Sequence, residues 1–328
     1  MSISTSSITT RLKTHPVLVC VALLLVSSVL FLTLGVTDWE FALALRGKKL
    51  LALLTVGFAI GTSTLLFQTL THNPILTPAL LGFDALYVLI KSLLVFFLGV
   101  ASLASIPKLG QFALEAGLML GLSLLMFRLL FTKHNQDLTR LILVGVVFGV
   151  LFRSLSSLVA RMISPDEFVT IQAASYAQFN TVNTQILGVA VVLSVICAGV
   201  MWRLRHQCDI LLLGKYPAIN LGINYQKLTL LLLGLIALLV AVSTAMVGPI
   251  TFFGLLVCAL TNQASTSMHH GKRLVLVSLF AMLCLVFGQM LFEYALNMAG
   301  VLEVVIELIG GVVFLLLVFR QYNKKASV

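Results

Sequence analysis

Long apolar runs, separated by short polar connections, extend along the whole chain. A helix needs about 20 apolar residues, at about 1.5 Å each, to cross the hydrocarbon core of a bilayer. The pattern predicts ten such spans, near residues 17–36, 50–69, 81–100, 111–131, 141–160, 186–204, 228–247, 250–268, 274–297 and 303–320. Residues 1–328 are therefore predicted to form a single transmembrane domain, with residues 1–15 as a short N-terminal tail.

The composition agrees with this prediction, since 60% of the residues are hydrophobic and 10% are charged. A soluble domain carries roughly 25% charged residues. Connections on the same side as the N-terminus hold 14 Lys and Arg residues, and those on the other side hold five. Because basic connections stay in the cytoplasm, both termini are predicted to be cytoplasmic. We predict an all-α polytopic membrane protein, and its scattered basic residues predict no nucleic-acid partner.

The second predicted span ends in an unusually polar turn. Gln68 is followed by His72, Asn73 and Pro74, and Pro78 follows four residues later. Proline lacks the backbone donor and forces the preceding residue out of the helical region, so the helix is predicted to end here. Within the span, Gly57 and Gly61 are four residues apart and predict a face that a neighbouring helix can approach closely.

This stretch resembles the iron-siderophore and vitamin B12 permease family of bacterial ABC importers, often called the FecCD family. The family pattern is Gly, ten residues, Gln, four residues, Asn-Pro-Leu-Ala, then a Pro and Leu-Gly. Departures from it include Thr64 in place of the second family glycine and His72 in place of the usual Arg. The matching residues are Gly57, Gln68, Asn73, Pro74, Pro78, Leu81 and Gly82.

The connection after the sixth span, residues 209–222, has helical apolar spacing between two glycines. This predicts a short amphipathic helix outside the membrane. In the resembling family this place holds coupling helices that dock into the ATPase subunit. Lys215 replaces the usual acidic residue, and the alternative is a helix that lies on the membrane surface. The residues that match the family's coupling pattern are Leu213, Gly214, Ala218, Leu221 and Gly222.

Two further places match the family. Gly248 and Pro249 break the apolar run between the seventh and eighth spans, as the family's Gly-Pro pair does. Arg46 and Lys49 lie where the family has two arginines that bind acidic residues of the periplasmic binding protein. The alternative for these two cations is ordinary snorkelling at the interface between membrane and water.

Charged residues inside spans are costly and suggest function. Lys91 follows Asp84 by two helical turns, so a pair within the helix or with another span is possible. Arg153 and Glu293 are the other deep charges, and all four are candidates for buried ion pairs or for lining a pathway. The five cysteines are scattered, and no clustered metal ligands or P-loop occur in the sequence, so no metal, cofactor or catalytic site is predicted.

The resemblance implies a BtuC-like permease subunit without enzymatic activity, in the bacterial inner membrane. It implies import of a ferric siderophore from a periplasmic binding protein, with ATP hydrolysis on a separate subunit. A second permease subunit, either a related chain or a copy of this one, is expected beside it. Permeases for cobalamin or haem are the alternative within the family. A secondary transporter that is driven by an ion gradient, using Lys91, Arg153 and Glu293, is the alternative outside it.

Overall fold

The computed structural model describes residues 16–36, 39–130, 138–265, 267–294, 302–308, 311–312 and 315. Within these ranges the chain forms helices and no strands, which confirms the predicted all-α membrane fold. Residues 302–308 are also helical, and Pro78–Leu81 form a 3₁₀ turn. The other helices are α1 (Pro16–Thr33), α2 (Trp39–Thr71), α3 (Phe83–Ser105), α4 (Lys108–Leu130), α5 (Leu138–Ala160), α6 (Pro165–Ala174), α7 (Thr184–Leu211), α8 (Lys215–Asn220), α9 (Tyr225–Val247), α10 (Phe253–Ala264) and α11 (His270–Tyr294).

Eight of the described helices are long and apolar enough to cross a membrane, namely α1 to α5, α7, α9 and α11. The full span predicted at 250–268 is wrong in length, because α10 has only 12 residues and is about 18 Å long. The Gly248-Pro249 break delays its start to Phe253. The predicted span at 303–320 lies largely outside the described residues. The total of ten spans and the orientation of the chain stay predictions.

Helix α2 lies at the centre of the molecule, and almost every residue from Ala52 to Leu70 is buried or partly buried. It packs against α11, α9, α7 and α10. In contrast, α1, α5 and α7 leave large apolar side chains exposed, such as Leu25, Val147 and Val195. Exposed apolar faces of this extent fit a lipid environment, since water would not solvate them favourably.

The predicted glycine face of α2 is confirmed by its contact with α11. A Cβ atom on Gly57 would lie 3.0 Å from the backbone of Ala281 and Met282. A Cβ atom on Gly61 would lie 2.9 Å from the Cβ atom of Ala281. The two helix backbones therefore approach as closely as they do because these positions carry no side chain.

A second glycine contact fixes the turn after α2. Gly82 has a φ of +87°, and an added Cβ atom would lie 2.6 Å from the Cα atom of Gly149 on α5. Gly145, one turn earlier on α5, lies against Leu81. Gly82 is thus required both by its left-handed backbone and by the neighbouring helix.

We expect Gly57→Ala to destabilise the protein and Gly117→Ala, on α4, to be neutral or stabilising. Both substitutions gain about 1 kcal/mol of helix propensity. An alanine at 57 must push α11 away, at a cost of about 1–3 kcal/mol, whereas no described atom lies within 4 Å of a Cβ atom at Gly117. Thermal unfolding in detergent measures the difference. Equal melting temperatures for the two variants would contradict the close contact.

Candidate functional site

The predicted short helix between two glycines is confirmed as α8, which has six residues. Gly214 precedes it with a φ of +100°, and Gly222 follows it with a φ of +85°. Both values lie in the region that favours glycine. The start of the 209–222 segment differs from the prediction, because α7 continues to Leu211 and Asp209 is therefore part of a membrane helix.

The side chains of the 209–222 segment divide into two groups. Ala218 is fully buried and holds α8 against the rest of the molecule. Leu213 and Leu221 are 61% and 60% exposed. Tyr216 and Ile219, which lie outside the family pattern in the sequence, are 76% and 45% exposed. Their spacing of three residues on one helix face is the signal that identifies them. An apolar surface is thus available to a partner.

A partly buried hydrogen-bonded bridge joins three helices beside α8. Asp209 Oδ1 accepts hydrogen bonds from the backbone N–H of His270 at 2.6 Å and from His270 Nδ1 at 2.8 Å. His270 Nε2 lies 2.8 Å from Thr69 Oγ1, and the His270 side chain is fully buried. We call these residues the Asp209–His270–Thr69 bridge. It links the end of α7, the start of α11 and the end of α2.

The sequence alone did not indicate this bridge, because its members are far apart in the chain. Asp209 and His270 are separated by 61 positions, and Thr69 and His270 by 201. Spacing arguments find partners within a helix but not across helices. A histidine at the start of an apolar span, next to a basic turn, was the weak signal available.

The polar turn after α2 has the predicted form. Gln68 Nε2 donates a hydrogen bond to the Pro74 carbonyl at 2.7 Å, and Asn73 Oδ1 accepts one from the Ile75 N–H at 3.0 Å. His72 has a φ of +49°. A groove of about 450 Å³ lies between this turn, the end of α7 and the start of α11. Gln68 and Asn73 therefore shape the turn, and Pro78 opens the 3₁₀ turn that leads to Gly82.

The helix break at Gly248 and Pro249 is confirmed. Gly248 has a φ of +106°, and a Cβ atom there would lie 2.8 Å from the Tyr176 carbonyl oxygen. The N–H of Gln178 donates to the Val247 carbonyl at 2.7 Å. The segment between α6 and α7 thus supplies backbone groups that the broken helix would otherwise leave unpaired.

The deep charges find partners that the sequence did not identify. Asp84 Oδ2 accepts a hydrogen bond from Thr251 Oγ1 at 2.9 Å, beside the helix break. Lys91 pairs not with Asp84 but across helices with Glu115 on α4, at 2.5 Å. Lys91 and Glu115 line a cavity of about 280 Å³. Arg153 is exposed on α5.

Lys49 forms a buried ion pair with Glu293, and both side chains are less than 10% exposed. Gln289 Nε2 also donates to Glu293 Oε1, at 2.7 Å. This corrects the expectation that Lys49 lies on an open rim for an outside protein. Glu293 is therefore not paired with Arg153, because its partner is Lys49 on α2.

Arg46 has a different environment from Lys49. Its Nη1 donates to the carbonyls of Leu34 at 2.6 Å and Phe31 at 3.2 Å, and its guanidinium lies 6.0 Å from the centre of the Tyr294 ring. The Tyr294 hydroxyl donates to the same Leu34 carbonyl at 2.8 Å. Arg46 therefore caps the end of α1, and this contact uses part of its hydrogen-bonding capacity.

We expect Lys49→Met to destabilise the protein strongly and Lys48→Met to have little effect. Loss of Lys49 leaves Glu293 as an unpaired buried charge, which costs about 3–5 kcal/mol. Lys48 is the adjacent cation and is exposed, so it is the matched control. In detergent unfolding, the double variant Lys49→Met with Glu293→Gln is expected to recover most of the loss. A double variant as unstable as Lys49→Met would contradict the pair.

The chain matches the FecCD transport family over residues 15–320. The petrobactin import system permease protein YclO of Bacillus subtilis is 37% identical over 304 residues, which cover 93% of this chain and 96% of that protein. The petrobactin import system permease protein FatC of Bacillus anthracis is 30% identical over 276 residues, which cover 84% of this chain and 78% of that protein.

A solved structure described as an inward-facing conformation of a metal-chelate type ABC transporter has the same fold. Its TM-score is 0.82 at 22% sequence identity, and the match covers 94% of this chain and 99% of that chain. The family match spans nearly the whole chain, including the turn after α2, the 209–222 segment and the break at Gly248. The chain therefore belongs to the FecCD transport family.

Proposed function

We propose that this chain is the transmembrane permease subunit of an ABC importer that moves a ferric siderophore of the petrobactin type into the cytoplasm. The observation that carries the proposal is α8, a short helix held between two glycines with its apolar side chains Tyr216 and Ile219 exposed. Similarity to two petrobactin import permeases supports the substrate class. The chain supplies the passage, and ATP hydrolysis takes place on a separate subunit.

In this proposal an ATP-binding subunit docks on α8 from the cytoplasm. The buried Ala218 and the two glycines position α8, while Leu213, Tyr216, Ile219 and Leu221 form the docking surface. Lys215 lies about 6 Å from the ring centres of Tyr216 and Tyr225, next to this surface. A cation at this place favours an acidic side chain on the partner.

The remaining partners are a second permease subunit, which completes the pathway at the interface between the two, and a periplasmic binding protein that delivers the substrate. We place the complex in the bacterial inner membrane. Arg46, half-buried at the end opposite α8, stays a candidate contact for the binding protein. Lys49 instead has a structural role in this proposal, because its charge is paired with Glu293.

Two of the buried carboxylates do not favour a transporter driven by an ion gradient. Such a transporter needs carboxylates that can exchange an ion during the cycle. Glu293 is paired with Lys49, and Glu115 is paired with Lys91. These ion pairs support a structural role for the charges instead.

The substrate is tested by iron-limited growth and uptake in a strain that lacks this gene. We expect loss of uptake of ⁵⁵Fe-labelled ferric petrobactin, restored by the wild-type gene, with uptake of ferric enterobactin, haem and cobalamin unchanged. Loss of cobalamin or haem uptake alone would identify that compound as the substrate instead, and the chain would still be an importer permease. Unchanged uptake of all four compounds would contradict the proposed import function.

The docking surface is tested by replacing Tyr216 and Ile219 with alanine together. We expect at least tenfold less ATP-binding subunit to co-purify with the permease, because truncation of buried aromatic anchors removes about 2 kcal/mol or more. Tyr216→Phe keeps the apolar ring and is the matched control. Normal co-purification of the double variant would exclude α8 as the docking helix.

A further inference from the structure

The proposed docking helix packs mainly against α7 and α9 among the described helices. The central pair of the molecule, α2 and α11, is not among these main contacts. Movement imposed on α8 must therefore pass through other groups before it reaches that pair. The Asp209–His270–Thr69 bridge lies between the two, five residues before Gly214 and at the ends of both central helices.

The donors and acceptors of the three side chains determine which hydrogen bonds the bridge contains. His270 Nδ1 faces a carboxylate oxygen that also accepts the backbone N–H of the same residue, so Nδ1 carries a proton. Thr69 Oγ1 lies 2.8 Å from Nε2 and 2.9 Å from the Leu65 carbonyl, and with a neutral ring its single O–H proton is donated to Nε2. Both ring nitrogens are occupied, and the ring is fully buried. A change in the position of Asp209 therefore acts directly on His270 and, through it, on Thr69.

Apolar packing alone would connect these helices less specifically. Between helices in lipid, apolar side chains can repack with small changes of position. Hydrogen bonds require the donor and acceptor within about 0.3 Å of their best distance and near alignment. The bridge thus sets the position of the α7 end relative to α2 and α11 in a way that side-chain packing does not.

We propose that the Asp209–His270–Thr69 bridge transmits movement of the 209–222 segment to the α2–α11 pair, and so couples ATP hydrolysis to passage of the substrate. This inference rests on the proposed function, since it requires an ATP-binding subunit that acts on α8. The three residues are positioning residues, and they touch neither substrate nor ATP. Their loss uncouples the importer, so that ATP is hydrolysed without transport.

The first test replaces Thr69 with valine, which has nearly the same shape but lacks the hydroxyl. Thr62→Val is the matched control, because Thr62 is buried on the same helix and its hydroxyl donates only to the Phe58 and Ala59 carbonyls. The complete importer is reconstituted in proteoliposomes with its binding protein. Uptake of ⁵⁵Fe-labelled ferric petrobactin and ATP hydrolysis are measured on the same preparation.

We expect Thr69→Val to lower the iron transported per ATP hydrolysed at least tenfold, with ATP hydrolysis and assembly of the complex retained within about threefold. Thr69→Ser is expected to restore coupling, because serine keeps the hydroxyl. Thr62→Val is expected to transport as the wild type does. Asp209→Ala combined with Thr69→Val should uncouple no more than the worse single variant, since both interrupt one bridge.

Two results would overturn the inference. Coupling in Thr69→Val equal to that in Thr62→Val would show that the bridge transmits nothing. Parallel loss of assembly, ATP hydrolysis and transport would assign the bridge to stability alone. Failure of the proposed function is distinguishable from both, because the wild-type importer itself would then show no ATP-dependent uptake of iron.

Discussion

Within a bilayer the hydrophobic effect does not drive one helix against another, because lipid tails are as apolar as the side chains. Association of α2 with α11 depends instead on close contact and on polar groups at the two ends. Gly57 and Gly61 allow the backbones to approach at the middle. Lys49 pairs with Glu293 at one end, and Thr69 bonds His270 at the other. The two helices are therefore fixed in register along their shared length.

The position of these polar contacts follows from the thickness of the membrane. Lys49 and Thr69 are 20 residues apart on α2, a distance of about 30 Å, which matches the hydrocarbon core. No charged residue lies between them. Polar groups are least costly at the borders of the core, where water can reach their surroundings. The same spacing that makes α2 a membrane span thus places its polar contacts where they can stabilise the pair.

Hydropathy predicted the helices well and their partners poorly. The eight long helices, the glycine face of α2 and α8 between Gly214 and Gly222 follow from local patterns, and local patterns determine them physically. Lys49 and Glu293 are 244 positions apart, so only the folded structure brings them together. The span at 250–268 was predicted too long at both ends, because the turn after Pro249 delays the helix to Phe253 and the helix ends at Ala264.

The break between α9 and α10 explains the position of three acidic residues in this apolar chain. An interrupted helix exposes backbone groups, which lipid cannot satisfy. Glu307 accepts hydrogen bonds from the backbone at Thr251 and Phe252, where α10 begins. Asp84 accepts from the Thr251 side chain, and Glu303 accepts from the N–H of Ala177, at 3.0 Å. These carboxylates complete the hydrogen bonding around the break. Asp84, Glu303 and Glu307 therefore have a structural part at this discontinuity of the backbone.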